Sequence, residues 1–139
     1  WWQIDFPLLH YRVPAWISWR HRIRGQLYWG GMCYWRGVDN PWTDPDTYHE
    51  SLTFNGEGVL VYPGRPAGYE GIAPSLRLKA FRDAVEDYEY MAILERADLS
   101  KKAEDIVKPL ARSWYQWEQK PGAYEDARRS LAHLIVGAR

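Results

Sequence analysis

Residues 58–64 read GVLVYPG, a β-branched apolar run bounded by Gly on one side and Pro-Gly on the other. A short run that is apolar at consecutive positions predicts a strand buried on both faces, as in a parallel sheet covered by helices. A loop over 63–73 follows. Pro74 and Ser75 then open a long helix in which Leu78, Phe81, Val85, Tyr88 and Ala92 recur at intervals of three and four, the period of an amphipathic helix. Ser75 is expected to serve the helix start. No Gly-x-Ser-x-Gly surrounds it, so it is not a nucleophile elbow.

The rest of the chain is arranged around that strand and helix. Residues 1–12 read as extended or looped, and Pro14 sits where a first helical turn favours proline. Trp16, Trp19, Arg20 and Ile23 give that helix one apolar face, with Gly25 as its expected end. Residues 26–35, QLYWGGMCYW, predict a second strand with Leu27, Trp29 and Gly31 on one face and Gln26, Tyr28 and Gly30 on the other. Pro, Asp, Asn and Gly break every period over 36–57, which predicts a long loop, ordered by the packing of Trp42, Tyr48 and Phe54. Two more helices are expected over 101–118 and 123–137, the first interrupted at Pro109, with Gly122 and Gly137 marking ends. The stripes are Ala103, Val107, Leu110, Trp114 and Trp117, then Tyr124, Ala127, Leu131 and Leu134. Apolar strands alternating with helices suggest an α/β fold with parallel strands, rich in helix. Two or three strands cannot close a barrel by themselves. Either further strands belong to the sheet, or the chain is a small helical domain with a partial sheet.

Composition narrows the function. Eighteen basic residues balance 18 acidic ones, which gives no general attraction to nucleic acid or to an anionic membrane surface. No apolar run approaches the ~20 residues that span a bilayer. Cys33 is the single cysteine, and His10, His21, His49 and His133 lack the spacing of a metal site. Gly64, Gly68 and Gly71 match neither phosphate-binding glycine pattern, so no cofactor is expected. The unusual feature is 9 Trp and 10 Tyr against 3 Phe. Such rings join a large apolar face to a polar edge and suit sugar rings, whose C–H groups form apolar patches. The chain opens on Trp1-Trp2 without an initiator Met and reads as a piece of a longer polypeptide.

Residues 62–94 run YPGRPAGYEGIAPSLRLKAFRDAVEDYEYMAIL. Tyr62-Pro63-Gly64, Pro74-Ser75, Arg77-Leu78, Arg82-Asp83 and Glu86-Asp87-Tyr88-Glu89-Tyr90 together resemble the C-terminal part of the catalytic domain of glycoside hydrolase family 123 and its uncharacterised relatives. Upstream, Ile4-Asp5, Trp16, Trp19-Arg20 and Gly25 through Trp29-Gly30 extend the likeness. Ala84 and Met91 stand where that family usually has Gly and Leu.

The resemblance implies a partial (β/α)8 barrel, made of the last strands and the C-terminal helices, with residues 1–98 in the barrel-like domain and 99–139 as a helical hairpin packed on it. It implies substrate-assisted hydrolysis of N-acetylgalactosaminides, an exception to the usual two-carboxylate scheme. The family's catalytic Asp-Glu pair has no counterpart: Glu-Asp occurs at 86–87, 104–105 and 125–126, but Asp-Glu nowhere. The run Glu86–Tyr90 is read as charge pairing that positions its helix. The chain would then supply sugar-binding walls and no catalytic residue, with Trp29, Trp35, Tyr62 and Arg65 as the substrate-binding candidates, Leu27 in the barrel wall, Glu70 above Tyr62 and Trp42 in the long loop. The alternative is a non-catalytic carbohydrate-binding or scaffold domain. The expected partner is an N-acetylhexosamine-containing glycan, with self-association through open strand edges. A secreted or periplasmic location fits the resemblance.

Overall fold

The computed structural model describes residues 2–28, 39–49 and 52–138. In chain order the elements are α1 (Leu9–Arg20), β1 (Asp46–His49), β2 (Leu52–Asn55), β3 (Val61–Pro63), β4 (Ile72–Pro74), α2 (Leu76–Arg96), α3 (Ser100–Val107) and α4 (Pro121–Gly137), with a 3₁₀ turn at Arg65–Ala67 between β3 and β4. The architecture is mixed α/β and helix-rich. The named strands form two antiparallel two-stranded sheets, β1–β2 and β3–β4, and do not close into a barrel. This corrects the parallel expectation for residues 58–64. A parallel partner needs a crossover of about a dozen residues. The loop after β3 instead folds straight back, pairing Val61 with Pro74, Tyr62 with Ala73 and Pro63 with Ile72. Gly64 N–H closes the turn on the Gly71 carbonyl at 2.7 Å.

The predicted strand 26–35 falls largely outside the described residues. Gln26–Tyr28 form no strand. Leu27 is 91% exposed instead of lining a wall. The chain divides into two compact units, Trp1–Tyr11 with Leu27–Ala80, and Arg12–Gln26 with Phe81–Arg139.

In the first unit, part of the segment read as a loop is the β1–β2 hairpin, registered Asp46 to Asn55 and His49 to Leu52. Ile4 N–H donates to the Asn55 carbonyl at 2.9 Å. The chain then turns through Gly56 at φ +61°, where a Cβ would sit 2.7 Å from Ile4 Cδ1, so this left-handed corner favours glycine. Val59, Leu60 and Val61 are buried, as a run apolar at consecutive positions requires. Ser75 ties this strand to α2. Its Oγ accepts from Leu78 N–H at 3.2 Å and donates to the Leu60 carbonyl at 2.7 Å, the N-cap arrangement expected of a serine at a helix start.

Helix α1 begins at Leu9 and not at Pro14, which lies inside it. Proline has no N–H for the carbonyl four residues back. That carbonyl belongs to His10, and the Trp2 indole N–H takes it at 3.2 Å, which relieves part of the penalty. The helix also ends before Gly25. Arg22 adopts φ 60°, with Ile23 N–H on the Ser18 carbonyl at 2.8 Å and Arg22 N–H on that of Trp19 at 3.1 Å. These are the two bonds of a Schellman cap, made here with arginine in place of glycine. Helix α2 ends the same way at Asp98, φ 58°, with Leu99 N–H on the Leu94 carbonyl at 2.9 Å.

In the second unit α2 presents Ala84, Asp87, Met91 and Leu94 to the core, while Val85 is 50% exposed. The predicted stripe was therefore rotated by about one residue. Asp87 is the cause: a fully buried carboxylate held by Arg12 Nε at 2.6 Å, Arg12 Nη2 at 3.1 Å and the Trp16 indole N–H at 2.9 Å. Arg128 Nη1 lies 3.4 Å from Oδ1, the oxygen that Arg12 Nη2 also reaches. Arg12 also pairs with Glu125, and Arg128 with Glu86. Burial alone would lower the Arg12 guanidinium; Asp87 and Glu125 outweigh it and hold the group above its ordinary value. Helix α3 stops at Val107, two residues before Pro109; Lys108 still keeps helical angles, φ −56° and ψ −40°, and it is the missing N–H of Pro109 that ends the ladder. Trp114 is half exposed and not in a core stripe. Pro121 is the first residue of α4, so Gly122 lies within its first turn and marks no end; Tyr124, Ala127 and Leu131 form its buried face.

Candidate functional site

The arrangement best suited to a ligand lies in the first unit, where β3 meets the turn at 40–43. Asn40 shapes that turn: its Oδ1 accepts Trp42 N–H at 3.1 Å and its carbonyl accepts Thr43 N–H at 3.2 Å, a side-chain-built turn typical of asparagine. The turn aims Trp42 at β3. The Trp42 indole N–H donates to the Pro63 carbonyl at 2.8 Å. Its ring lies 4.9 Å from that of Tyr62 at 43°, within the range of favourable aromatic pairs. Trp42 remains 42% exposed. An indole with its N–H spent, its tilt fixed by a second ring and much of its surface in water is an apolar platform.

Arg77 fixes the other ring. Helix α2 carries it in its first turn, buried, with Nη2 donating to the Tyr62 hydroxyl at 2.5 Å and Nη1 to the Gly56 carbonyl at 3.1 Å. A guanidinium only donates, so the Tyr62 oxygen is the acceptor. Its own proton must point elsewhere, and no acceptor takes it among the described residues. Tyr62 therefore offers an O–H donor, polarised by the guanidinium behind it, at the edge of the Trp42 platform.

A second group of rings sits in the same unit. Trp2 stacks on Tyr28 at 4.4 Å and on Tyr11 at 5.8 Å. Tyr28 donates its hydroxyl to Glu57, and Tyr11 donates to the Gln3 carbonyl at 2.9 Å. Burial and then the Glu57 carboxylate push the Tyr28 phenol up. Burial also pushes Tyr11 up, opposed by Arg77 and aided by Glu57. Both phenols stay protonated across the physiological range and act as donors.

The substrate-binding candidates fall as follows. Tyr62 is half-buried between Trp42 and Arg77. Arg65 shares the β3–β4 hairpin with it but points into solvent and pairs with Glu70 at 3.7 Å. Trp29 and Trp35 lie outside the described residues. The sequence places Trp42 in or next to the long loop, with packing or a subsite wall as its role, and gives Arg77 only as part of the family pattern; Glu57 and Tyr11 are not singled out by it. Arg77 had a signal: an arginine between Leu76 and Leu78 in an apolar first turn asks for a partner. Glu57, between Gly56 and Gly58, carried none beyond that glycine setting.

Gly64 holds the hairpin that presents Tyr62. A Cβ there would sit 2.6 Å from the Tyr69 carbonyl oxygen and 3.0 Å from that of Gly71. Gly64→Ala is expected to open the turn and lower stability by about 1–3 kcal/mol, the usual range for overpacking. Urea denaturation would measure it, with an unaltered midpoint contradicting this account.

Among the described residues no group of three or more His, Cys, Asp or Glu is placed to hold a metal ion, and no helix is long and apolar enough to cross a membrane. No curated protein matches the chain. The family model described as glycoside hydrolase 123, catalytic domain, matches residues 4–94, a span that takes in α1, both hairpins, Trp42, Tyr62, Arg77 and nearly all of α2. It covers well over half of the 139 residues, and the chain belongs to the glycoside hydrolase 123 catalytic-domain family.

Proposed function

We propose that this chain supplies a saccharide-binding wall of a glycoside hydrolase acting on N-acetylgalactosaminides by substrate-assisted hydrolysis. In this reading a sugar ring lies on the exposed part of Trp42 and Tyr62 donates its hydroxyl to an acceptor on the ring. Trp29, Trp35 and Arg65 are further candidates for sugar contact in this reading. The carrying observation is the Trp42–Tyr62–Arg77 arrangement: a tethered, half-exposed indole beside a phenol whose proton is left for a ligand. Family membership supports carbohydrate as the ligand class. It also supports reading β3 and α2 as late elements of a (β/α)8 barrel, with residues 99–139 as an added helical hairpin. The acid that protonates the leaving oxygen comes from another segment, since these residues contain no Asp-Glu pair. That same lack favours a second reading, a carbohydrate-binding or scaffold domain without turnover.

The test is a tryptophan fluorescence titration with N-acetylgalactosamine, and with glucose as control, on the protein and on Trp42→Ala and Trp29→Ala. A saturable change that Trp42→Ala removes is the expected result. A folded protein that gives no change with either sugar would end the proposal. Turnover of a chromogenic N-acetylgalactosaminide by this chain alone would overturn the assignment of the acid to another segment.

A further inference from the structure

Three cations line an open groove in the second unit. Arg20 at the end of α1 and Lys108 and Arg112 beyond the end of α3 surround, with Asp105 and Pro109, a volume of about 420 Å³. The whole chain carries no net charge, so an excess of positive charge in one concavity is a local feature. Neither Arg20 nor Lys108 pairs with a carboxylate among the described residues, although most described arginines do. Asp105, three residues before Lys108, lies within ion-pair distance of no cation among the described residues.

The two arginines are held in place without being used up. Arg20 Nη1 donates to the Ala111 carbonyl and Arg112 Nε to that of Pro109 at 3.2 Å. These bonds satisfy carbonyls freed where Pro109 stops the helix and leave the other guanidinium donors unspent. Arg112 Nη2 only approaches Glu118, at 3.9 Å, beyond hydrogen-bond reach. Anchored guanidiniums with free N–H groups suit an oxyanion, because the ordering has already occurred. Beside them in the chain are aromatic faces: His21 stacks on Trp114 at 4.8 Å, and Tyr115 is 90% exposed.

We propose that this groove binds a tetrahedral oxyanion, with Arg20, Lys108 and Arg112 as its ligands and the His21–Trp114 pair as a flanking platform. Sulfate is the probe for this oxyanion, borne on a sugar or free in solution. Isothermal titration at low ionic strength with N-acetylgalactosamine 4-sulfate, N-acetylgalactosamine and sodium sulfate separates those sources. The sulfated sugar is expected to bind in a manner that Trp42→Ala does not affect, so failure of the wall proposed above leaves this result standing. Lys108→Ala and Arg112→Ala should each weaken it about tenfold, and about 0.3 M salt should weaken it markedly. Equal binding of sodium sulfate would support the site and identify free anion as sufficient. Lys108 is exposed, so its replacement tests the groove without threatening the fold; circular dichroism checks this. No saturable binding of either sulfated probe, or binding that both variants leave unaltered, would overturn the proposal.

Discussion

Asp87→Ala is expected to lower the unfolding free energy by about 3–5 kcal/mol, the loss typical of removing one partner from a buried ion pair. Asp87 is fully buried and answers three donors: Arg12 through two nitrogens, the Trp16 indole and Arg128. Without it the Arg12 guanidinium keeps only its pairing with Glu125, itself half exposed, and the Trp16 N–H is left without an acceptor in the core. Unmade buried bonds of this kind cost about 1–3 kcal/mol each. Asp87→Asn retains an acceptor oxygen for the indole and should lose less. In the Arg12→Met background the same Asp87→Ala change should lose less still, and the difference between the two measures their coupling. Urea midpoints with unaltered slopes would report the effect as stability. A loss under about 1 kcal/mol for Asp87→Ala would show that the network is loose and that α2 is held by Met91 and Leu94 instead.

Asp87 also shows where reading the sequence stopped. The length and start of α2 were legible from an apolar period and a serine at the right place. Its face was not. The buried stripe contains a carboxylate whose partners, Arg12 and Arg128, lie far away in sequence, and periodicity counts a charged residue as solvent-facing. Periodicity therefore selects Val85, one of the helix's exposed positions. Charge pairing within Glu86–Tyr90 was anticipated as the role of the run, but as a local matter; the partners that count are remote. Helix α1 failed at both ends for a related reason. Pro14 reads as a helix start because a proline inside needs an outside donor for the carbonyl behind it, and that donor is Trp2. Gly25 reads as a stop because glycine adopts the left-handed turn without strain, whereas the chain uses Arg22, which ion pairs with Glu95 and Glu104 help to hold.

The β1–β2 hairpin is not legible because its strands have four residues each, too short for alternation to show among residues that signal turns; β3 is legible as a strand, but its partner β4, of three residues, is not, so its pairing reads as parallel. At the site, the sequence pointed to the hairpin of Tyr62 and Arg65. It could not show that Trp42 reaches the same place from a separate turn, nor that the Arg77 guanidinium fixes which way the Tyr62 proton points. Both are consequences of packing between segments 15 to 21 residues apart.

At the proposed saccharide wall, Tyr62→Phe should weaken binding of N-acetylgalactosamine by up to about tenfold and leave galactose almost unaffected. The reason is the direction of one hydrogen bond. Arg77 already donates to the Tyr62 oxygen, which leaves the hydroxyl proton as the stronger offer Tyr62 makes to a ligand. An acetamido carbonyl is a strong acceptor, and the two sugars differ by that group at one carbon. A hydrogen bond between neutral groups is worth about 0.5–1.5 kcal/mol net, and the Arg77 guanidinium polarising the phenol puts this one at the upper end, which sets the size of the loss. Trp42→Ala should act differently, weakening both sugars alike, since a stacked face does not distinguish their C–H surfaces. Arg77→Met leaves both rings but frees the phenol to accept as well as donate, and the preference for the acetamido sugar should shrink. Isothermal titration of the two sugars against the three variants gives the pattern. If Tyr62→Phe weakens both sugars equally, the hydroxyl only braces the platform, and the donor role assigned here to Tyr62 is wrong.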